Sequence, residues 1–151
     1  LLMASITPHP ASAKSLRVKH IDPYPVAIPD DEYEVIIVEW STQYPYGRPT
    51  LILLWRIVSP GDYYGVELPQ YYRLEAISKD KRRLHVGWRS AFAADYTHFF
   101  GMPKRKTDFD PNKFEGHIFQ ARTLIPTPQK EDKRKRRIKM SRVNELLEMK
   151  A

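Results

Sequence analysis

The chain contains no cysteine in its 151 residues. Without thiols there is no disulfide framework and no Cys-ligated zinc or iron–sulfur site, and the composition fits a reducing compartment. Long apolar runs are missing too. The longest, Val35–Val38 and Leu51–Trp55, fall far short of the roughly 20 residues a spanning helix needs, and no charged segment near the start leads into an apolar signal core. These absences predict a soluble protein with no membrane partner, cytoplasmic or, in a eukaryotic source, nuclear. Only six glycines occur, and none belongs to a P-loop, a G-x-G-x-x-G or a G-x-S-x-G motif.

Catalytic and metal-binding patterns are equally thin. His85, His98 and His117 lie far apart without metal-ligand spacing, and a lone histidine is more often structural. Asp108 and Asp110 flank Phe109 before Pro111 and read as caps of a short turn over 111–114 rather than as metal ligands. Pro29-Asp30-Asp31-Glu32 resembles one part of a nuclease carboxylate motif, but no Glu-x-Lys follows on a neighbouring strand. The expectation is a non-enzyme with no catalytic residue, no metal and no cofactor.

What is present is apolar content and positive charge. Hydrophobic residues make up 42%, enough for one core, and 25 Lys+Arg against 18 Asp+Glu give a net charge of +7. That balance favours an anionic partner such as nucleic acid. The charge is uneven: residues 130–139 hold seven basic and two acidic residues, so the remainder is nearly neutral.

Residues 1–30 carry five of the 13 prolines and read as an extended or irregular N-terminal arm. Residues 31–151 then form one domain. Tyr33 to Trp40 is β-branched and aromatic, as a strand prefers; Thr50 to Val58 is apolar on nearly both sides, which suits a central strand; Val66 to Ile77 is a third strand, bent near Pro69 because proline cannot donate to a ladder. Ser90 to Phe100 reads as a helix, with Phe92, Tyr96 and Phe99 on one face, Ser90 as N-cap and Gly101 as stop. His117 to Ile125 is a fourth strand, and residues 138–147 suit either a strand or a helix. The chain is therefore all-β with one helix. Its element order matches a five-stranded OB-fold barrel with the helix between strands three and four; another small barrel or α+β domain would share the count.

Nine aromatics fall between Tyr33 and Tyr72, too many for a small core to absorb, since a buried tyrosine needs a partner for its hydroxyl. Alternation places Leu68, Tyr72, Leu74 and Ala76 inward with Leu51, Leu53, Trp55 and Ile57. It leaves Tyr71, Arg73 and Arg56 outward. An exposed ring beside an exposed guanidinium suits a single strand, with the ring on a base face and the cation on phosphate. The same residues also occur as ordinary strand surface. The loop residues Tyr44, Tyr46 and Arg48, and Tyr63 and Tyr64, fall where OB-folds line their ligand groove, although loop tyrosines commonly just pack on the barrel. The basic run, with Lys133, Arg134, Lys135, Arg136 and Arg137, can add phosphate contacts or serve as a hairpin tip.

Several segments together resemble the phage and mobile-element single-stranded-DNA-binding proteins of OB type. They are Tyr33-Glu34-Val35 through Glu39; Gly47-Arg48-Pro49 with the strand Leu51 to Val58; and Tyr63-Tyr64-Gly65-Val66-Glu67-Leu68 followed by Tyr71-Tyr72. Phe109-Asp110-Pro111, Phe114-Glu115-Gly116 and Val143-Asn144-Glu145-Leu146 complete the likeness, which covers most of residues 33–147. The resemblance implies a role in DNA replication or recombination, protecting exposed strands alongside the proteins of those processes. It also makes 138–147 a final strand, with the basic run at a hairpin tip. One departure is the ending Glu148-Met149-Lys150-Ala151, which is not the acidic tail that many bacterial single-strand binders use for recruitment.

The expected function is sequence-tolerant binding of single-stranded DNA, with RNA not distinguished. The alternative is a protein–protein interaction module, an adaptor or accessory subunit using the same aromatic face. An edge strand leaves homo-oligomer formation open.

Overall fold

The computed structural model describes residues 27–80, 83–125 and 140–151. The β-branched segment forms β1 (Glu32–Gln43), which continues three residues beyond Trp40. A tight turn leads to β2 (Thr50–Ile57), and β3 (Glu67–Arg73) follows. Two short strands, β4 (Ala76–Ile77) and β5 (Leu84–His85), precede α1 (Ala91–Phe100). β6 (Phe119–Leu124) and β7 (Arg142–Met149) complete the chain.

Five strands make one antiparallel sheet in the order β3-β2-β1-β6-β7, and β4 and β5 pair separately. The ambiguous C-terminal segment is thus a strand over Arg142–Met149, paired with β6. Among the described residues no helix is long and apolar enough to cross a membrane.

The sheet is not closed into a barrel, contrary to the expectation. Cα atoms of β3 and β7 come within 8 Å, but no ladder joins them. The backbone after β3 has other partners: Leu74 N–H donates to Pro49 O, and Glu75 N–H donates to His85 O across to β5. α1 contacts both β3 and β7 at this opening. Pro69 is tolerated because β3 is, among the described residues, an edge strand, where a missing donor costs little. Ala76 does not continue the inward face either. β3 ends at Arg73, so in β4 Ile77 is buried and Ala76 exposed.

α1 forms where its caps dictate. The Ser90 hydroxyl accepts from Ala93 N–H at 3.1 Å, satisfying a donor the first turn would leave orphaned. Gly101, at φ 92°, ends the helix. Asp110 likewise caps the 3-10 turn Pro111–Phe114 through Asn112 N–H. Between helix and sheet lies an aromatic core. Trp55 meets Phe119 and Phe114 edge-on, at centroid distances of 5.4 and 6.1 Å, and Phe92 touches Tyr72, Tyr96 and Phe109. Trp55 and Tyr72 are buried, as the alternation requires. The buried Trp55 N–H donates to Gln70 Oε1 at 2.9 Å. Ile28 also belongs to this core, its N–H donating to Ser141 Oγ, so the end of the proline-rich arm packs with the domain.

Candidate functional site

β1 pairs with β2 in register except at Val38, a bulge between Ile37 and Glu39. The residues facing away from the core on β2 and β3 are set by that ladder. Thr50 lies opposite Arg73, Ile52 opposite Tyr71, Leu54 opposite Pro69, and Arg56 opposite Glu67. The middle of this outer face is buried, at Ile52, Leu54 and Pro69. Its two ends differ in character.

At the Thr50 end the β1–β2 connection folds into a tight turn over Pro45–Gly47. Gly47 N–H reaches Tyr44 O at 3.0 Å, and Arg48 N–H reaches Pro45 O at 3.1 Å. Two successive residues have positive φ, Tyr46 (55°) and Gly47 (76°). Such turns favour Asn-Gly or Gly-Gly, because a side chain at positive φ crowds the backbone. Here the first position carries a tyrosine that is 90% exposed. Tyr46 and Arg48 then line a groove of about 440 Å³ together with Thr50, Tyr71 and Arg73. Four of the sequence-predicted residues therefore meet in one place. Tyr71 is 39% exposed, and among the described residues neither Arg48 nor Arg73 enters a salt bridge.

The remaining candidates are elsewhere. Arg56 is held by Glu67 at 2.6 Å at the far end of the ladder, six strand positions and so about 20 Å from Arg73. Tyr63 packs edge-on against Tyr33 at 6.1 Å. Tyr64 is exposed in the same β2–β3 loop, away from the groove. Tyr44 is exposed beside the turn without lining the groove. Lys133, Arg134, Lys135, Arg136 and Arg137 lie outside the described residues.

One exposed aromatic is not indicated by alternation. Trp88, 41% exposed, sits in the turn between β5 and α1, against Phe109 at 5.7 Å. Its neighbour Arg89 was the available signal.

Behind the groove, Tyr72 O–H donates to Asp95 Oδ2 at 2.7 Å, tying β3 to α1. Burial, reinforced by the Asp95 carboxylate, holds the Tyr72 phenol well above its ordinary value of 10. Burial also raises the Asp95 carboxyl, with the Tyr72 hydrogen bond opposing it. A Glu-x-Lys does occur at Glu148-Met149-Lys150, but Lys150 is paired with Glu34 at 3.2 Å. Among the described residues no group of three or more His, Cys, Asp or Glu could hold a metal.

Comparison of the chain with protein-family models, with curated proteins and with solved structures finds no match.

Proposed function

We propose that this chain binds single-stranded nucleic acid, DNA in the first instance, without sequence selectivity and without catalysing a reaction, as an accessory of replication or recombination. The observation that carries the reading is the groove shared by Tyr46, Arg48, Tyr71 and Arg73. Two rings offer stacking faces, and two arginines outside any described salt bridge offer charge for the backbone between bases. The strand order, with a helix between the third and fourth strands of the large sheet, supports an OB-type domain opened at one seam. In such domains ligands lie across strands two and three and the loop between strands one and two, the region this groove occupies.

The test is a binding titration of oligo-dT, the matching RNA and a duplex at several salt concentrations. Two arginine–phosphate contacts predict that log K falls with log salt at a slope of about −1.4 or steeper, from roughly −0.7 per contact on single strands. Affinity that ignores salt, or that is no better for oligo-dT than for duplex, refutes the proposal.

A further inference from the structure

Arg73 lines a second groove, also of about 440 Å³, on the other side of β3's end. Its walls include Glu75, Gly87, Trp88, Arg89 and Lys106. Lys106 Nζ is taken by Glu75 at 3.1 Å, so the cations left for a ligand are Arg73 and Arg89; among the described residues neither enters a salt bridge. Gly87 lets the Glu75 carboxylate that holds Lys106 lie close to the backbone: a Cβ there would stand 3.1 Å from Glu75 Oε2. Trp88 supplies an indole backed by Phe109 and 41% open to solvent. Trp40 and Trp55, by contrast, are committed through their ring N–H to Asn112 and Gln70.

We infer that the Trp88 groove is a second nucleotide subsite, continuous with the first through Arg73, so that a bound strand turns off the end of β3 and passes along the β5–α1 turn. The inference rests on the single-strand reading above and extends its footprint. A base stacks on the Trp88 indole, while Arg73 and Arg89 bracket the phosphate linking the two subsites. Both grooves fall at the lower end of the size range for ligand pockets, which suits roughly one nucleotide each. An aromatic ring flanked by uncommitted guanidinium groups is the combination that stacking plus phosphate neutralisation requires.

The experiment compares wild type with W88A, W88F, R89A and Y71A, using oligo-dT long enough to cross both grooves, and reads affinity and tryptophan fluorescence together. Trp88 should be quenched by the stacked base, and W88F should lose most of that quenching while holding affinity within about threefold, since a phenyl ring still stacks. W88A should weaken binding roughly tenfold. R89A should remove about one phosphate contact, flattening the salt slope by roughly 0.7. Circular dichroism of W88F, which preserves the packing on Phe109, controls for folding. If wild type binds and Y71A weakens it, but W88A and R89A bind as wild type and quenching persists in W88F, the second subsite is refuted and the first groove stands. If wild type binds no strand at all, both readings fall.

Discussion

Tyr46 allows the cost of a site residue to be separated from its use. At φ 55° and ψ 32° it occupies the left-handed region, which costs a non-glycine residue about 1–2 kcal/mol. Its side chain is 90% exposed, so little burial offsets that cost. Replacement by glycine removes the strain but adds freedom to the unfolded chain, worth about 0.4–1 kcal/mol in the opposite direction. Replacement by alanine keeps the strain and removes the ring. Y46G is therefore expected to be more stable than Y46A by about 1 kcal/mol, since both variants lose the ring and only alanine keeps the strain. For a chain of this length that difference is about 2–4 °C in Tm.

Binding should order the same three proteins differently. Both variants lose one ring–base stack, about 1–3 kcal/mol or roughly 5- to 150-fold in Kd, and both lose it equally. Thermal denaturation and an oligo-dT titration on wild type, Y46A and Y46G check the two scales side by side. A Y46G protein no more stable than Y46A refutes the strain argument. Unchanged affinity in both variants, alongside a weakened Y71A, refutes a stacking role for Tyr46.

Two further outcomes follow from the same geometry. R56A should leave oligo-dT affinity within about twofold and the salt slope unchanged, because Arg56 is held by Glu67 at the far end of the ladder; R73A should flatten the slope by roughly 0.7, and equal effects in salt titrations would refute the placement of the groove. Y72F should cost about 1.5–3 kcal/mol in urea denaturation, because it removes the donor to the half-buried Asp95 carboxylate. The phenol's folded value is raised by burial and by Asp95, so its contribution is intact below pH 10 and is lost as pH rises toward the folded value. Stability against pH above 10 should fall more steeply in wild type than in Y72F, and equal slopes would refute the linkage.

The parts of this fold legible in the sequence are those where local chemistry decides. The β-branched run of β1, the two-sided apolar run of β2 and the Ser90 and Gly101 caps of α1 each specify their element without help from elsewhere. Alternation also separates Trp55 and Tyr72, inside, from Tyr71 and Arg73, outside. It fails where long-range hydrogen bonds take over. Nothing at Leu74 or Glu75 signals that their N–H groups go to Pro49 and His85, yet those bonds end β3 and reverse the expected facing of Ala76. Gln70 shares the inward parity of Leu68 and Tyr72, but its role as acceptor for the buried Trp55 N–H depends on a pairing across strands that no local pattern announces. Trp88 lies in a turn, outside any period, so only its neighbour Arg89 marks it. Closure of the sheet depends on how the edges of β3 and β7 meet, and no local pattern encodes that.

The charge on the outer face argues for the direction a strand would take. On the β1–β6–β7 half, Arg122 is clasped between Glu32 and Glu145, and Lys150 is held by Glu34. Glu148 adds a further exposed carboxylate opposite Gln120. A phosphate approaching there would have to displace carboxylates from cations already matched, losing one favourable contact for each one gained. On the β2–β3 side the matched pairs are Arg56 with Glu67, at the end remote from the grooves, and Lys106 with Glu75, in the wall of the second groove. Arg48, Arg73 and Arg89 carry charge with no carboxylate drawn onto it in any described salt bridge. Because the Debye length at physiological salt is about 8 Å, the net charge of the whole chain counts for little at this scale, and local imbalance decides. Among the described residues one such imbalance runs from the Tyr46 turn, along the end of β3, to Trp88, while on β7 Arg142 also enters no described salt bridge. On the single-strand proposal, a backbone of phosphates laid on this face would be drawn across the β3 edge, past the matched cations Arg122 and Lys150.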